Sequence, residues 1–379
     1  MSLVNLLGGL RRLLRRRHVH IDNCVFRLHW LVTSSLLVAF SLLVSARQYV
    51  GDPIECVPPT SDFPMEVLNT YCWIHSTFTM PTALDKRVGL DVPHPGVDNS
   101  SGAERRYTAY YQWVAFTLFF QAVLFYVPYY LWKNWEGGLL EVITMGMHVA
   151  IMEEKDRTHK KRVLTEYLHR HMRHHRLYAL KYIFCEFLSF ANVVGQMFFM
   201  DKFLGGEFWN YGVQVVQFTL TDQEERRDPM IYVFPRMTKC VFHSFGSSGD
   251  VQRHDSLCIL PLNVVNEKVY VFLWFWFVTL LVLTTVVFVG RLVILAVPKL
   301  RFQVLKSRSP LLNSDDLRTL TRFADAGDAF LFYMLAQNLD PLVYKEVVAD
   351  LTVVMNQKSN QENSRTPGNE QADLLLLLT

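Results

Sequence analysis

Six cysteines are the residues whose type and spacing most directly imply chemistry: Cys24, Cys56, Cys72, Cys185, Cys240 and Cys258. Cys56 and Cys72 are separated by 15 intervening residues, and Cys240 and Cys258 by 17, without a CxxC pair. Structural zinc sites favour much shorter ligand spacings, so we expect disulfides rather than a metal. Four cysteines allow three connectivities, which the sequence alone does not separate.

A histidine-rich stretch in a basic segment is the second group with possible chemistry. His171 precedes His174 and His175 by three and four residues, a helical spacing compatible with metal binding. The neighbouring arginines argue against a metal, so a solvated basic face is favoured and a proton sensor is the alternative. The chain has no nucleophile with a matching base, no phosphate loop, no HExxH and no nucleic-acid motif. We therefore expect neither an enzyme nor a cofactor nor a nucleic-acid partner.

Four long apolar segments must position these residues. The segment from Tyr107 to Trp132 carries no formal charge, and about 20 apolar residues cross a hydrocarbon layer of about 30 Å. Tyr and Trp at both of its ends suit the headgroup layer. Three further segments pass the same length test. The sequence thus predicts transmembrane helices at 27–46, 107–132, 182–203 and 268–297.

The distribution of basic residues predicts the orientation of the spans. Residues 1–27 hold six arginines against one acid, and 133–181 holds ten basic residues. The loops 47–106 and 203–267 each hold five basic and eight acidic residues. Because Lys and Arg are retained in the cytoplasm, both termini should face inside and both long loops outside. The four loop cysteines then share the oxidising side, which independently favours disulfides.

Several ordered blocks of sequence resemble the innexins, the invertebrate gap-junction channel proteins, and their pannexin relatives. The blocks are YYQWV from Tyr110, QYVGDPIECV and YCWIHSTFTMP in the first loop, YIFCEFLSFANVVGQMFF from Tyr182, FPRMTKCVFHSFGSSGD in the second loop, and NLDPLVY from Asn338. Connexins share the four-span plan but carry three cysteines per outer loop, which does not match. The resemblance implies an all-α membrane protein with four transmembrane helices, two disulfide-linked extracellular loops and a helical cytoplasmic domain.

The resemblance also implies a mode of assembly and a disulfide pairing. Subunits would form large-pore homo- or hetero-oligomers with other innexins, as octamers, in the plasma membrane at cell junctions. Each hemichannel would dock to a hemichannel of the adjacent cell. The implied bridges are Cys56 with Cys258 and Cys72 with Cys240.

The N-terminal segment 1–26 reads as an amphipathic helix. Six leucines between Leu3 and Leu14 fall within an arc of about 120°, opposite a group of arginines. One interpretation is an interfacial anchor on anionic lipid. The alternative, which the family plan favours, folds the segment into the cytoplasmic mouth of the pore, where a ring of arginines would favour anions. The pore-lining candidates are Arg11, Arg12, Arg15 and Arg16.

Three single residues have two interpretations each. Pro128 should kink the second span, and this kink would serve either gating or static packing. Glu186 lies inside the third span, where a charge must be paired or face a polar space, and structural pairing is favoured. Asn99-Ser100-Ser101 is an N-glycosylation sequon, used or unused. A glycan at Asn99 would obstruct docking.

The cytoplasmic tail 298–379 divides into two parts. Leu311 to Leu351 has helical periodicity and capping residues and should fold, whereas Gln357 to Asp373 is polar and 357–379 is predicted to be disordered. Three functions follow for the whole chain: an intercellular channel, a non-junctional pannexin-like hemichannel, or a four-span adhesion or scaffold protein. The resemblance in both outer loops favours the first.

Overall fold

The computed structural model describes residues 19–58, 64–99, 104–144, 147, 154–221 and 228–364, with side chains to 357. Its helices, in chain order, are α1 (Cys24–Val50), α2 (Met65–His75), α3 (Val114–Glu136), α4 (Leu139–Thr144), α5 (Glu154–Arg170), α6 (Arg176–Phe203), α7 (Phe208–Leu220), α8 (Pro229–Val233), α9 (Pro261–Ala296), α10 (Pro298–Arg308), α11 (Ser314–Phe323), α12 (Ala326–Asn338) and α13 (Pro341–Ser364). Its strands are β1 (Glu55–Cys56), β2 (Thr77–Thr79), β3 (Arg106–Thr108), β4 (Met237–Phe245) and β5 (Val251–Ile259).

Helices α1, α3, α6 and α9 have the length and apolar composition of membrane spans, which confirms the expected four-span fold. Their bounds differ from the predicted ones. Helix α3 begins at Val114 rather than Tyr107, because β3 and a 3₁₀ turn at Tyr110–Gln112 precede it. At 36 residues α9 is about 54 Å long, well beyond the apolar layer of about 30 Å.

Local sequence signals explain where several helices begin. Proline occupies the first helical position in α8, α9, α10 and α13, where its missing N–H would have no intrahelical partner in any case. Helix α12 begins with a capping box, in which Asp325 and Asp328 bond each other's backbone N–H groups.

The first span contains a π-helical segment at Leu28–Thr33. Within it His29 is buried and shares a 2.7 Å hydrogen bond with the Thr284 hydroxyl of α9. The indole N–H of Trp276 donates to the Thr33 hydroxyl at 2.9 Å. The π segment therefore places two of its polar side chains against the fourth span, where buried polar groups need partners.

The strands form one antiparallel sheet with the order β1-β5-β4-β2-β3. Strands β1 to β3 come from the first long loop, and β4 and β5, of nine residues each, form a hairpin in the second. The sequence predicts only helices, so this sheet is a feature of the fold that the sequence did not indicate. Both loops are thus parts of one folded structure.

The chain divides into two compact units. The loop unit comprises Val25–Pro128 and Leu188–Thr285, and the terminal unit comprises Met1–Cys24, Tyr129–Phe187 and Val286–Thr379. In the loop unit the core is apolar and rich in aromatic rings. Its buried members include Leu118, Phe125, Val193, Tyr211, Tyr270, Leu273 and Phe277.

The terminal unit contains the predicted helical tail. Helices α11 to α13 cover the segment expected to fold, and α13 continues to Ser364, past the start of the predicted disorder at Gln357. Residues 365–379 lie outside the described part of the chain. Helix α13 also pairs with α5, because Arg157 and Lys161 each contact Glu346 at 2.8 Å. The hydrogen bond from Lys161, and then the charges of Lys161 and Arg157, lower the pKa of Glu346.

The turn between α5 and α6 packs tightly against the start of α12. The ring of His175 is buried and its Nδ1 lies 2.8 Å from Asp328 Oδ1, while the Arg173 N–H donates to Asp328 Oδ2 at 2.8 Å. The expectation of a solvated basic face was therefore wrong for His175, although His171 and His174 are exposed. A carboxylate 153 residues away, invisible to local pattern, accounts for this difference.

We expect Gly327→Ala to destabilise the protein by about 1–3 kcal/mol, because overpacking displaces neighbouring backbone. A Cβ at Gly327 would lie 2.6 Å from backbone atoms of His175 and Arg176. Melting temperature in detergent would measure the effect. Gly290→Ala is the matched control, since a Cβ there meets nothing within 4 Å. Equal melting temperatures for the two variants would contradict the close approach.

Candidate functional site

Two disulfides join the long loops. Cys56 of β1 is bonded to Cys258 of β5, and Cys72 of α2 to Cys240 of β4. Cys56 and Cys258 are also direct partners in the sheet register. These are the two bonds that the sequence resemblance implies. Sulfurs of Cys56, Cys72 and Cys258 lie within 4.8 Å of one another, but oxidised sulfurs are not the thiolates that zinc requires.

The β4–β5 hairpin projects beyond the rest of the sheet. Strand β1 pairs with β5 only at Cys258 and Ile259, and β2 pairs with β4 only at Lys239. Among the described residues, the hairpin beyond these positions therefore has no other strand partner. At its tip the side chains of Phe245 and Val251 are 80% and 64% exposed. An exposed, apolar tip with unpaired strand edges is suited to contact with another protein surface.

An ion pair on a buried carboxylate supports the base of this hairpin. Arg236, just before β4, bonds both carboxylate oxygens of Glu267 in α9 at 2.9 Å and contacts Asp228 at 3.3 Å. Glu267 is 1% exposed and also lies 3.1 Å from Lys268. Two cations on one buried carboxylate satisfy a charge that would otherwise be very costly. The hairpin is thereby fixed to the first turns of the fourth span.

In the terminal unit, a cluster of side chains holds the backbone that precedes the first span. The His20 N–H donates to Asn338 Oδ1 at 2.5 Å, and Asn338 Nδ2 donates back to the His20 carbonyl at 2.8 Å. The Trp132 indole donates to the Ile21 carbonyl at 2.8 Å. The Asn23 N–H donates to the Tyr182 hydroxyl at 3.2 Å. We name His20, Ile21 and Asn23 with these partners the N-terminal anchor.

The intramembrane acid Glu186 completes the N-terminal anchor. Its carboxylate accepts from Asn23 Nδ2 at 2.6 Å and from the guanidinium of Arg291 at 3.1 and 3.2 Å. The Arg291 guanidinium also lies over the rings of Tyr182 and Phe330, at 5.5 and 5.6 Å. This geometry agrees with the structural-pairing interpretation of Glu186. A bidentate pair with an aromatic lining is the arrangement in which a buried charge is tolerated.

Comparison with known proteins identifies the family. The family model described as Innexin matches residues 22–355. The chain belongs to the innexin family. It is 46% identical over 368 residues to Innexin shaking-B of Drosophila melanogaster, with 97% of this chain and 98% of that protein covered. It is 50% identical over 348 residues to Innexin inx1 of Schistocerca americana, with 91% and 96% covered. Innexins form gap-junction channels in invertebrates.

The other residues singled out in this innexin lie in different places. Pro128 is buried inside α3, which continues on both sides of it. Asn99 is exposed, and its N–H donates to its neighbour Asp98. The four pore-lining candidates, Arg11, Arg12, Arg15 and Arg16, lie outside the described residues. Of the described residues among these, neither Pro128 nor Asn99 belongs to the N-terminal anchor.

The sequence did not reveal which residues pair in the N-terminal anchor of this innexin or at the base of its β4–β5 hairpin. Asn338 opens the NLDPLVY block, but nothing in its local pattern indicates His20 as its partner 318 residues away. Arg236 and Glu267 lie in ordinary loop composition and at the start of a span. The only available signal was the resemblance itself, since both FPRMTKC and NLDPLVY lie in the blocks that carry it.

We expect Asn338→Ala to loosen the N-terminal anchor. Asn338 is 4% exposed, and its loss removes both bonds to His20. A hydrogen bond contributes about 0.5–1.5 kcal/mol, so amide exchange at His20 should accelerate by up to about tenfold. Hydrogen–deuterium exchange of the peptide containing His20 and Asn23 would measure this. Asn356→Ala, at an exposed position of α13, should leave the rate unchanged.

Proposed function

We propose that this innexin forms hemichannels of eight subunits that dock between adjacent cells and pass ions and small molecules. The observation that carries the proposal is the β4–β5 hairpin, whose exposed apolar tip stands on a sheet built from both loops. Disulfides at Cys56–Cys258 and Cys72–Cys240 preorganise that surface. Preorganisation lowers the ordering cost of association, which a channel that docks through loops needs.

The proposal includes a location and an orientation. The plasma membrane at cell junctions is the location, with both termini in the cytoplasm and both disulfide-linked loops outside. Support comes from the basic residues of 1–27 and 133–181 and from the oxidised state of the four loop cysteines. The partners are further innexin subunits, membrane lipids and the hemichannel of the adjacent cell.

A non-junctional, pannexin-like hemichannel is the second candidate, favoured by the exposure of Asn99 in the first loop. A glycan is bulky and would separate two loop surfaces. Dye transfer between paired cells, compared with dye uptake by single cells, separates the two functions, and a four-span adhesion protein would show neither. A mobility shift of Asn99→Gln equal to enzymatic deglycosylation would show that the sequon is used.

We expect Phe245→Ser to reduce dye transfer between paired cells while dye uptake by single cells persists. Removal of an apolar anchor from the centre of an interface commonly costs about 2 kcal/mol or more, which exceeds a tenfold change in affinity. Leu90→Ser is the matched control, since Leu90 is 77% exposed and belongs to the first loop rather than to the hairpin. Normal transfer by Phe245→Ser at equal surface expression would contradict docking through the tip.

The pore-lining role of the N-terminal arginines remains part of the proposal. The N-terminal anchor supports it, because this anchor fixes His20 and Asn23, which follow segment 1–18 closely in the sequence. Arginines facing a lumen raise the local potential, whereas charges beyond about 8 Å are screened at physiological ionic strength.

We expect Arg12→Glu combined with Arg16→Glu to reduce anion preference, measured as a shift of the reversal potential in a salt gradient. Leu10→Glu or Leu14→Glu should instead impair assembly or gating, because the leucine arc would pack against the first span. Unaltered selectivity with altered membrane attachment in the arginine double variant would indicate an interfacial anchor instead.

A further inference from the structure

Helix α7 returns to the membrane-spanning part of the protein directly after the third span. Between α6 and α7, Gly205 and Gly206 adopt positive φ of 76° and 91°, a conformation that favours glycine. The Gly206 N–H donates to the Asp201 carbonyl at 2.7 Å, which closes the turn. Asp201 Oδ1 then accepts from the Trp209 N–H at 2.9 Å. The turn and this bond to the first turn of α7 fix the direction in which the helix leaves.

One face of α7 packs against the fourth span. A Cβ on Gly212 would lie 2.0 Å from the Trp274 ring, so glycine allows this close approach. The Trp274 indole donates to the Trp209 carbonyl at 3.2 Å, and the Tyr211 hydroxyl donates to the Glu267 carbonyl at 3.4 Å. Trp274 lies in α9 within the uncharged run 269–290. Helix α7 therefore lies alongside a residue of the transmembrane segment.

The remaining surface of α7 divides into an apolar stripe and a polar stripe. At about 100° per residue, the two stripes each span about 60° and are centred about 100° apart. The helix carries no charged residue. The apolar stripe is Trp209, Val213, Val216 and Leu220, with exposures of 47%, 48%, 43% and 82%. The polar stripe is Asn210, Gln214, Gln217 and Thr221.

The apolar stripe continues the exposed surface of the third span. Phe198 of α6 is 61% exposed and its ring stacks on Trp209 with centroids 5.4 Å apart. A phenylalanine on the surface of a membrane span is suited to acyl chains, whereas tryptophan is enriched where acyl chains meet headgroups. The surface that carries these two rings is thus suited to lipid rather than to water.

We propose that α7 is an interfacial helix whose apolar stripe lies in the phospholipid leaflet on the side of the two long loops. One face of α7 packs on the fourth span, and the polar stripe meets headgroups and water, as in helices that lie in the plane of a bilayer. The occupant of the apolar stripe is phospholipid, because the stripe is charge-free, rimmed by polar amides and continuous with a span. This inference concerns the membrane contact of α7 and holds whether or not the hemichannels dock.

Spin labels at two adjacent exposed positions test this inference. Val216→Cys and Gln217→Cys would be introduced separately into the full chain, with Cys24 and Cys185 replaced by Ser, and each variant reconstituted in phosphatidylcholine vesicles. Collision rates with oxygen, which partitions into lipid, and with a water-soluble nickel chelate report the surroundings of the nitroxide. The label at 216 should show a several-fold higher ratio of oxygen to nickel collisions than the label at 217.

Two results would overturn the proposal. Equal ratios at 216 and 217, with free access of nickel to both, would place the stripe in water. Low access of both reagents to 216, with dipolar broadening between labels, would place it against a second copy of the chain. Leu220→Cys, on the same stripe and more exposed, provides an independent variant if Val216→Cys fails to assemble, and is judged by the same ratios.

Discussion

The two disulfides between the long loops are the constraint on which the loop structure depends. They join residues 202 and 168 positions apart, and closing loops of this size disfavours the unfolded chain by several kcal/mol, about 2–4 for a typical bridge. Strand β1 has two residues, and β2 and β3 have three each. Strands this short do not form a stable sheet alone. Cross-linked to the longer β4–β5 hairpin, they become the flanks of one continuous sheet.

The terminal unit is organised around a charge that the membrane makes costly. Glu186 is buried beside Arg291, and its second polar contact is Asn23. A single buried carboxylate thus brings together the third span, the fourth span and the backbone before the first. Phe330 and Tyr333 of the tail contribute ring faces to the same guanidinium. The tail and the N-terminal anchor consequently share one electrostatic centre, and a movement of either alters the surroundings of that ion pair.

The parts of the fold that could be predicted are those with a local signal. Long apolar runs gave the four spans, and the separation of cysteines between loops and spans indicated two disulfides. Strands β1 to β3 lacked such a signal, because strands of two or three residues are shorter than any periodicity test requires. The start of α3 was misplaced since Tyr107 is apolar enough to extend the run although it belongs to β3.

Pairings between distant residues were the other part that the sequence did not reveal. His175 with Asp328, and Arg236 with Glu267, depend on the tertiary fold, and a single sequence shows only the composition around each residue. The same holds for Asn338 with His20. The resemblance to innexins selected the disulfide pairing, which cysteine spacing had left open among three connectivities.

The π-helical segment in the first span has a consequence for how this gene tolerates insertions and deletions. A π turn accommodates one residue more than an α turn, so removal of a residue within 28–33 would restore regular winding. Because the π segment holds one residue more in about the same rotation, the side chains after Thr33 would keep their direction relative to those before it. Leu37, Ser41 and Val44 would therefore stay in the interior. The same deletion after Thr33, where the winding is already regular, would rotate the residues beyond it by about 100° and turn a different face inward.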